Sequence, residues 1–291
     1  YVVGGFVRDY ILNKEIVKDI DILCIGSGIN FAINVQNSID STKKINIYKR
    51  FGTAMLKWKD YTVEFVGARK ESYSEDSRKP EVKAGTFLDD MNRRDFTINT
   101  LAISLNKENY GELIDTFNGI GDLNKGIIKT PTDADKTFSD DPLRMLRAVR
   151  FSTQLNYKIE RNTFASIKRN LNRIEILSGE RISEELNKIL MQDKPSNGFI
   201  LLDKLNILKT ILPELESLKG IEEVEGQTHK DNFYHTLEVV DNISSKTNNI
   251  WLRWAALLHD IGKSSTKKFN KEIGWTFHGH EYVGSKMVKQ I

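Results

Sequence analysis

Two carboxylates in the stretch KDIDILC, Asp19 and Asp21, stand two residues apart inside an apolar run. On a strand that spacing sends both side chains to one face, about 6.6 Å apart along the chain, while Ile20 and Ile22 pack behind. Left unpartnered, the two acids repel and a pKa rises. A divalent cation removes that cost, and two such ions about 3.5–4 Å apart are the usual clamp for in-line displacement at phosphorus. Glu64, in the alternating YTVEFVGA, is the natural third ligand if its strand lies beside the first. For D-x-D alone, a solvated strand edge is the plain alternative.

Cationic and glycine-bearing motifs extend the phosphate theme. Gly4 and Gly5 sit between an apolar run and the helical spacing of FVRDYIL, where backbone N–H groups can approach a phosphate at a helix start. Arg8 would add a cation there, with Asp9 as its capping or salt-bridge neighbour. MNRRDFTINTLAIS places Arg93, Arg94 and Asp95 just before an apolar helical stretch, so Asp95 can cap it while an arginine faces phosphate or ribose. In SDDPLRMLRAVRF, a helical wheel puts Arg144, Arg147 and Arg150 in one sector and Met145, Leu146, Ala148 and Val149 opposite, with Leu143 intruding on the basic side. Three arginines without Lys or Glu among them favour bidentate contacts to anions or bases over a merely solvated face.

Asp141 with Arg144 suggests base selection. Cytosine and adenine present an amino donor beside a bare ring nitrogen, whereas guanine and uracil present a carbonyl beside a ring N–H. An Asp acceptor paired with an Arg donor matches the first two and leaves buried polar groups unpaired against the others.

All five histidines fall after residue 228. His235 near the start of one helix, with His259 and Asp260 at the end of the apolar WAALLHD, forms the dispersed His, His-Asp set that holds a metal between helices.

These groups need a sheet and a set of helices to hold them. Residues 1 to about 105 mix β-rich runs (YVVGG, DIDILCI, NIYKRFGTAMLKW, YTVEFVGA) with helical stretches, which reads as α+β with a mixed sheet. Beyond about residue 135 the pattern turns helical: FSDDPLRMLRAVRFSTQL, ERISEELNKILM, NGFILLDKLNILKTIL and WLRWAALLHDIG. Residues 67–87, crowded with charge and Ser, read as a mobile loop. With 291 residues, two or three domains are expected. The balance of 43 basic to 40 acidic residues does not by itself mark a nucleic-acid binder. No apolar run reaches membrane-helix length, so no membrane role is expected. The single Cys24 reads as a small buried hydrophobe and points to a reducing compartment, with the cytoplasm as default. A start without Met and an end in mid-pattern suggest a fragment of a longer protein.

Taken in order, GGFVRDYIL, KDIDI, VEFVGARKESY, RRDFTINTLA, IDTFNGIGDL, DDPLRMLRAVRF, ERISEEL, HTLEVVD, LLHDIGK and FHGHE resemble the bacterial tRNA nucleotidyltransferase and poly(A) polymerase group, the class II CCA-adding enzymes, with an HD domain attached. The resemblance implies a polymerase-beta-like nucleotidyltransferase head (1–130), a helical neck (131–200) and a helical body leading into an incomplete HD domain (201–291). It implies addition of CMP and AMP from CTP and ATP to a tRNA 3′ end. Asp19 and Asp21 would bind Mg²⁺ with Glu64 in support, and Gly4, Gly5 and Arg8 would hold the triphosphate. Arg94 would contact the nucleotide, Asp141 and Arg144 would read its base, and Arg147 and Arg150 would bind phosphate or support that geometry.

By the same resemblance, residues 67–87 match a flexible segment involved in the change from CTP to ATP use. Asp115, Phe117, Gly119 and Asp122 match the block joining head to neck, and Arg181 and Glu185 match a neck-helix block. His235, His259 and Asp260 would form the HD site for a second, transition metal. Two departures stand out: Asp140 precedes Asp141 where relatives usually carry Glu, and no further Asp follows Asp260. A poly(A) polymerase, a partial-tail enzyme, an HD phosphohydrolase and a noncatalytic RNA-binding module remain as alternatives.

Overall fold

A computed structural model describes residues 1–14, 18–42, 44–74 and 77–291, with side chains described outside 71–81. The chain divides into two compact units, residues 1–141 with 158–163, and residues 142–157 with 164–291.

Alternation along the D-I-D strand organises the first unit. The strands are β1 (Val2–Val3), β2 (Asp19–Cys24), β3 (Ile45–Tyr48), β4 (Thr53–Trp58), β5 (Tyr61–Gly67), β6 (Arg69–Ser74), β7 (Ser77–Ala84), β8 (Ala102–Ile103) and β9 (Leu113–Ile114). Among the described residues, seven of them form one mixed sheet in the order β3-β4-β5-β2-β1-β8-β9. Only β2 and β5 run parallel; every other neighbouring pair is antiparallel.

Helix α1 (Gly5–Ile11) follows β1, and α2 (Gly28–Ile39) follows β2. Ala32, Ile29 and Val35 of α2 pack on Ile22, Cys24, Ala54, Leu56 and Phe65, which share one face of the sheet. The opposite face carries Val3, Leu23, Met91 and Ala102, with Tyr1, Phe87, Ile114 and Phe117 against them. Odd and even residues of β2 therefore serve different layers, as a period of two requires. Helices α3 (Phe87–Asn92), α4 (Gly119–Lys125) and α5 (Ala134–Asp140) complete the unit, with β10 (Ile127–Ile128) paired in parallel to β11 (Lys158–Ile159).

The second unit is built on α6 (Leu143–Leu155), all but the first three residues of α7 (Arg161–Arg169), α8 (Gly179–Leu190), α9 (Pro195–Lys204), α10 (Ile207–Ile211), α11 (Pro213–Glu216), α12 (Asn232–Ser244), α13 (Ile250–Leu258), α14 (Lys263–Thr266) and α15 (His280–Met287). Two small hairpins join them, β12 (Glu223–Val224) with β13 (Gln227–Thr228), and β14 (Lys268–Asn270) with β15 (Gly274–Thr276). Among the described residues, no helix is long and apolar enough to cross a membrane.

The β-rich run NIYKRFGTAMLKW holds two strands, β3 and β4, separated by a turn over Lys49–Phe51 that Gly52 closes at φ 66°. Several sequence expectations are corrected. FSDDPLRMLRAVRFSTQL is two helices, because Asp141 takes an extended conformation (φ −140°, ψ 98°) before Pro142, whose ring disfavours helical backbone at the preceding residue. NGFILLDKLNILKTIL likewise breaks at Asn206, which is left-handed at φ 62°.

The apolar stretch after Asp95 is a short 3₁₀ turn over Thr97–Asn99 followed by β8, whose pairing with β1 outweighs helical spacing. The expected loop at 67–87 is mostly an antiparallel hairpin, β6 with β7, in which each arm supplies the other's backbone partners. Pro80 lies in β7, which pairs only with β6 among the described residues and so keeps one ladder edge free for a residue lacking an N–H.

Candidate active site

Register places the acids together. Asp21 on β2 is paired with Glu64 on β5, and Asp19 with Thr62, so Asp19, Asp21 and Glu64 lie on one face of adjacent parallel strands. That face is the one without α2, and none of the three is fully buried. Burial raises the carboxyl pKa of Asp21 above its ordinary value; Arg94 opposes the rise, and Glu64 and Asp19 add to it. Three oxygen-only carboxylates, one of them held above its normal pKa partly by its neighbours, fit a hard divalent cation such as Mg²⁺.

Gly4 brings the turn between β1 and α1 to this face. Its backbone is left-handed at φ 78°, and a Cβ there would lie 3.0 Å from Arg94 Nη1 and 3.6 Å from Asp21 Oδ2. The backbone conformation calls for glycine here, and a Cβ would also crowd the end of the Arg94 side chain. Arg94 is anchored below: its Nε and Nη2 donate to Asp90 Oδ2 at 3.2 and 3.1 Å, and Arg93 donates to Asp90 Oδ1. Asp90 is fully buried. Sequence reasoning missed it, although its spacing three and four residues before the two arginines on a short helix was the available signal.

Arg8 forms the salt bridge to Asp9 that the sequence offered. It is 4 % exposed, and its Nε and Nη2 donate to Asp9 at 2.9 and 2.7 Å while Nη1 donates to Asn99 Oδ1 at 2.7 Å. Asn99 in turn donates to Asp95 at 3.0 Å, which also accepts from the Phe96 N–H. Nothing in the sequence singled out Asn99. Asp115 caps α4 by accepting from the N–H groups of Gly119 and Ile120, and Asp122 accepts from Thr97 Oγ1 at 2.7 Å, which ties α4 to the RRDFTIN turn.

In the second unit, the expected guanidinium stripe of α6 is not a uniform surface. Arg144 is 8 % exposed, because α6 is buried on most of its circumference, while Arg147 and Arg150 are intermediate. Arg150 Nε lies 3.1 Å from Glu185 Oε2 on α8, and both Arg147 and Arg150 sit over the Phe151 ring. Asp141 ends α5 in the first unit.

The histidine set converges. Ligand atoms of His235, His259 and Asp260 lie within 4.8 Å of one another. His259 Nδ1 is 2.8 Å from the Ala256 carbonyl, which can only accept, so Nδ1–H donates there and Nε2 is the ring nitrogen turned toward Asp260. Two imidazoles and a carboxylate fit a borderline transition ion. His280, present in the sequence but assigned no role there, reaches Asp260 Oδ1 with Nε2 at 3.5 Å.

The family described as "Poly A polymerase head domain" matches residues 1–129, "Probable RNA and SrmB- binding site of polymerase A" matches 156–219, and "HD domain" matches 232–291. The A-adding tRNA nucleotidyltransferase of Aquifex aeolicus is 31 % identical over 99 % of this chain, which spans 34 % of that protein. The multifunctional CCA protein of Shewanella frigidimarina is 31 % identical over 100 % of this chain and is covered over 68 % of its own length. A solved tRNA nucleotidyltransferase complexed with a primer tRNA and an incoming ATP analog superposes with a TM-score of 0.69 at 30 % identity, covering 89 % of this chain and 71 % of that one. A tRNA-processing enzyme with CTP gives 0.68 at 31 % identity, covering 90 % and 68 %. With head, RNA-binding and HD family models matched along it and a relative 31 % identical over its whole length, the chain belongs to the tRNA nucleotidyltransferase and poly(A) polymerase family.

Proposed function

We propose that this chain carries the catalytic part of an enzyme that adds CMP and AMP, from CTP and ATP, to the 3′ end of tRNA. The observation that carries the reading is the register of Asp21 with Glu64, with Asp19 on the same face. Mg²⁺ bound there supplies activation of the terminal hydroxyl and neutralisation of the leaving pyrophosphate. Asp19 and Asp21 hold the ion, and Glu64 supports Asp21. Gly4 and Gly5 let the backbone approach the triphosphate, Arg94 meets its charge beside Asp21, and Arg8 joins by exchanging its Asp9 contact for the anion. Asp141 and Arg144 read the base edge, with Arg147 and Arg150 serving phosphate or the geometry of that helix. The HD residues His235, His259 and Asp260 hold a transition metal. RNA affinity rests on phosphate contacts and falls as salt rises.

The test is incorporation into tRNA ending before CCA, with each nucleoside triphosphate supplied alone and together. Use of CTP and ATP with growth stopping after three additions supports the reading. Use of ATP alone on tRNA already ending in CC favours the A-adding function, a second reading raised by the similarity to A-adding relatives. Unlimited ATP addition would indicate a poly(A) polymerase, and no incorporation an RNA-binding module.

A further inference from the structure

Asp260 is 3 % exposed and already surrounded by cations or potential cations. Lys263 Nζ donates to its Oδ2 at 2.6 Å, and His259 Nε2 lies 3.1 Å from the same oxygen. His280 Nε2 lies 3.5 Å from Oδ1. Lys263 is one helical turn beyond Asp260, and its backbone N–H donates to the Asp260 carbonyl at 2.9 Å, so the tether is short.

We propose that Lys263 is a built-in counter-ion of the HD metal site: its ammonium occupies the Asp260 oxygen that a metal would ligate, and an incoming ion must displace it. This rests on the reading of His235, His259 and Asp260 as a ligand set. A metal bonds a carboxylate oxygen at about 2.0–2.2 Å. An ammonium 2.6 Å from that same oxygen then faces a divalent charge at close range, where repulsion is strong even at an effective dielectric near 20. An exit exists. Lys263 lines an open groove of about 460 Å³ with Trp275, Phe277 and His280, and its Nζ already sits 5.6 Å from the Phe277 ring. The displaced cation can swing into that groove and remain solvated.

Ni²⁺ alone, titrated calorimetrically into the full chain carrying Asp19→Ala and Asp21→Ala, reads this site without the carboxylate cluster of the sheet. Lys263→Met should bind Ni²⁺ at least about tenfold more tightly than its parent, and Lys263→Arg, which keeps the charge, no more tightly. Thermal stability in chelator should fall in Lys263→Met and return on adding Ni²⁺; a merely structural lysine would give the fall without tighter binding. Equal affinities of Lys263→Met and parent overturn the counter-ion role, while loss of binding in His259→Ala would leave the ligand set standing. Absence of Ni²⁺ binding from every variant with native circular dichroism overturns both.

Discussion

Asp21 and Glu64 are register partners on the only parallel strand pair of the sheet, so two acids separated by more than forty residues share one face of the fold. The pairing is set by the apolar residues alternating with them, Ile22 and Phe65 among those, which pack under α2.

Replacement of Asp21 by Asn should cost several kcal/mol of transition-state stabilisation, on the order of 10³-fold in kcat/KM or more, with the fold retained. Single-nucleotide incorporation at saturating Mg²⁺, alongside far-ultraviolet circular dichroism, checks it. Wild-type turnover by Asp21→Asn is incompatible with the metal assignment.

Mg²⁺ and protons should compete at this carboxylate. Because the folded-state pKa of Asp21 is raised, chiefly by burial, the folded protein binds this proton more tightly than the unfolded chain does. In metal-free protein the ionised group therefore opposes folding above the folded-state pKa, and that penalty is relieved as pH falls through it. Mg²⁺ should raise Tm at neutral pH, the increment should shrink as the solution is acidified into the carboxylate range, and Asp21→Asn should raise the metal-free Tm and lose most of the increment. A pH-independent Mg²⁺ effect would contradict the coupling.

Gly4→Ala should lower stability by about 1–3 kcal/mol, because φ 78° with ψ −139° is a backbone that L side chains rarely adopt. Its methyl would also crowd Arg94 Nη1 at 3.0 Å beside Asp21, so activity should fall by more than the loss of folded protein accounts for. Chemical denaturation compared with kcat/KM separates the two effects.

Arg253 on α13 is 2 % exposed; it donates to the carbonyls of Leu190, Gln192, Ser244 and Thr247 and to Asn248 Oδ1. Its charge lies where α8 and α12 end, the negative poles of both helices. Arg253→Met strands these buried acceptors, and a loss of about 3–5 kcal/mol in urea denaturation is expected.

Much of this was legible beforehand. Asp19, Asp21 and Glu64 announced themselves because β-alternation is a local rule, and the histidine set because its residue types are rare elsewhere in the chain. The anchors were not legible. Asp90, Asn99 and Arg253 look like ordinary polar residues until tertiary packing buries them, and helical periodicity cannot see the breaks at Asp141–Pro142 or Asn206 that backbone geometry imposes. The arginines of α6 were read by type and sector, whereas their burial depends on helices distant in sequence, α8 above all.

The two-faced strand β2 has an evolutionary corollary. Shifting its pairing by a single position would press both acids into the oily layer beneath α2 and turn the isoleucines outward, so a slipped chain fails to fold before it ever fails to catalyse. Insertions and deletions in this strand are thereby filtered by solubility first, and the reactive chemistry inherits a guard it did not have to supply.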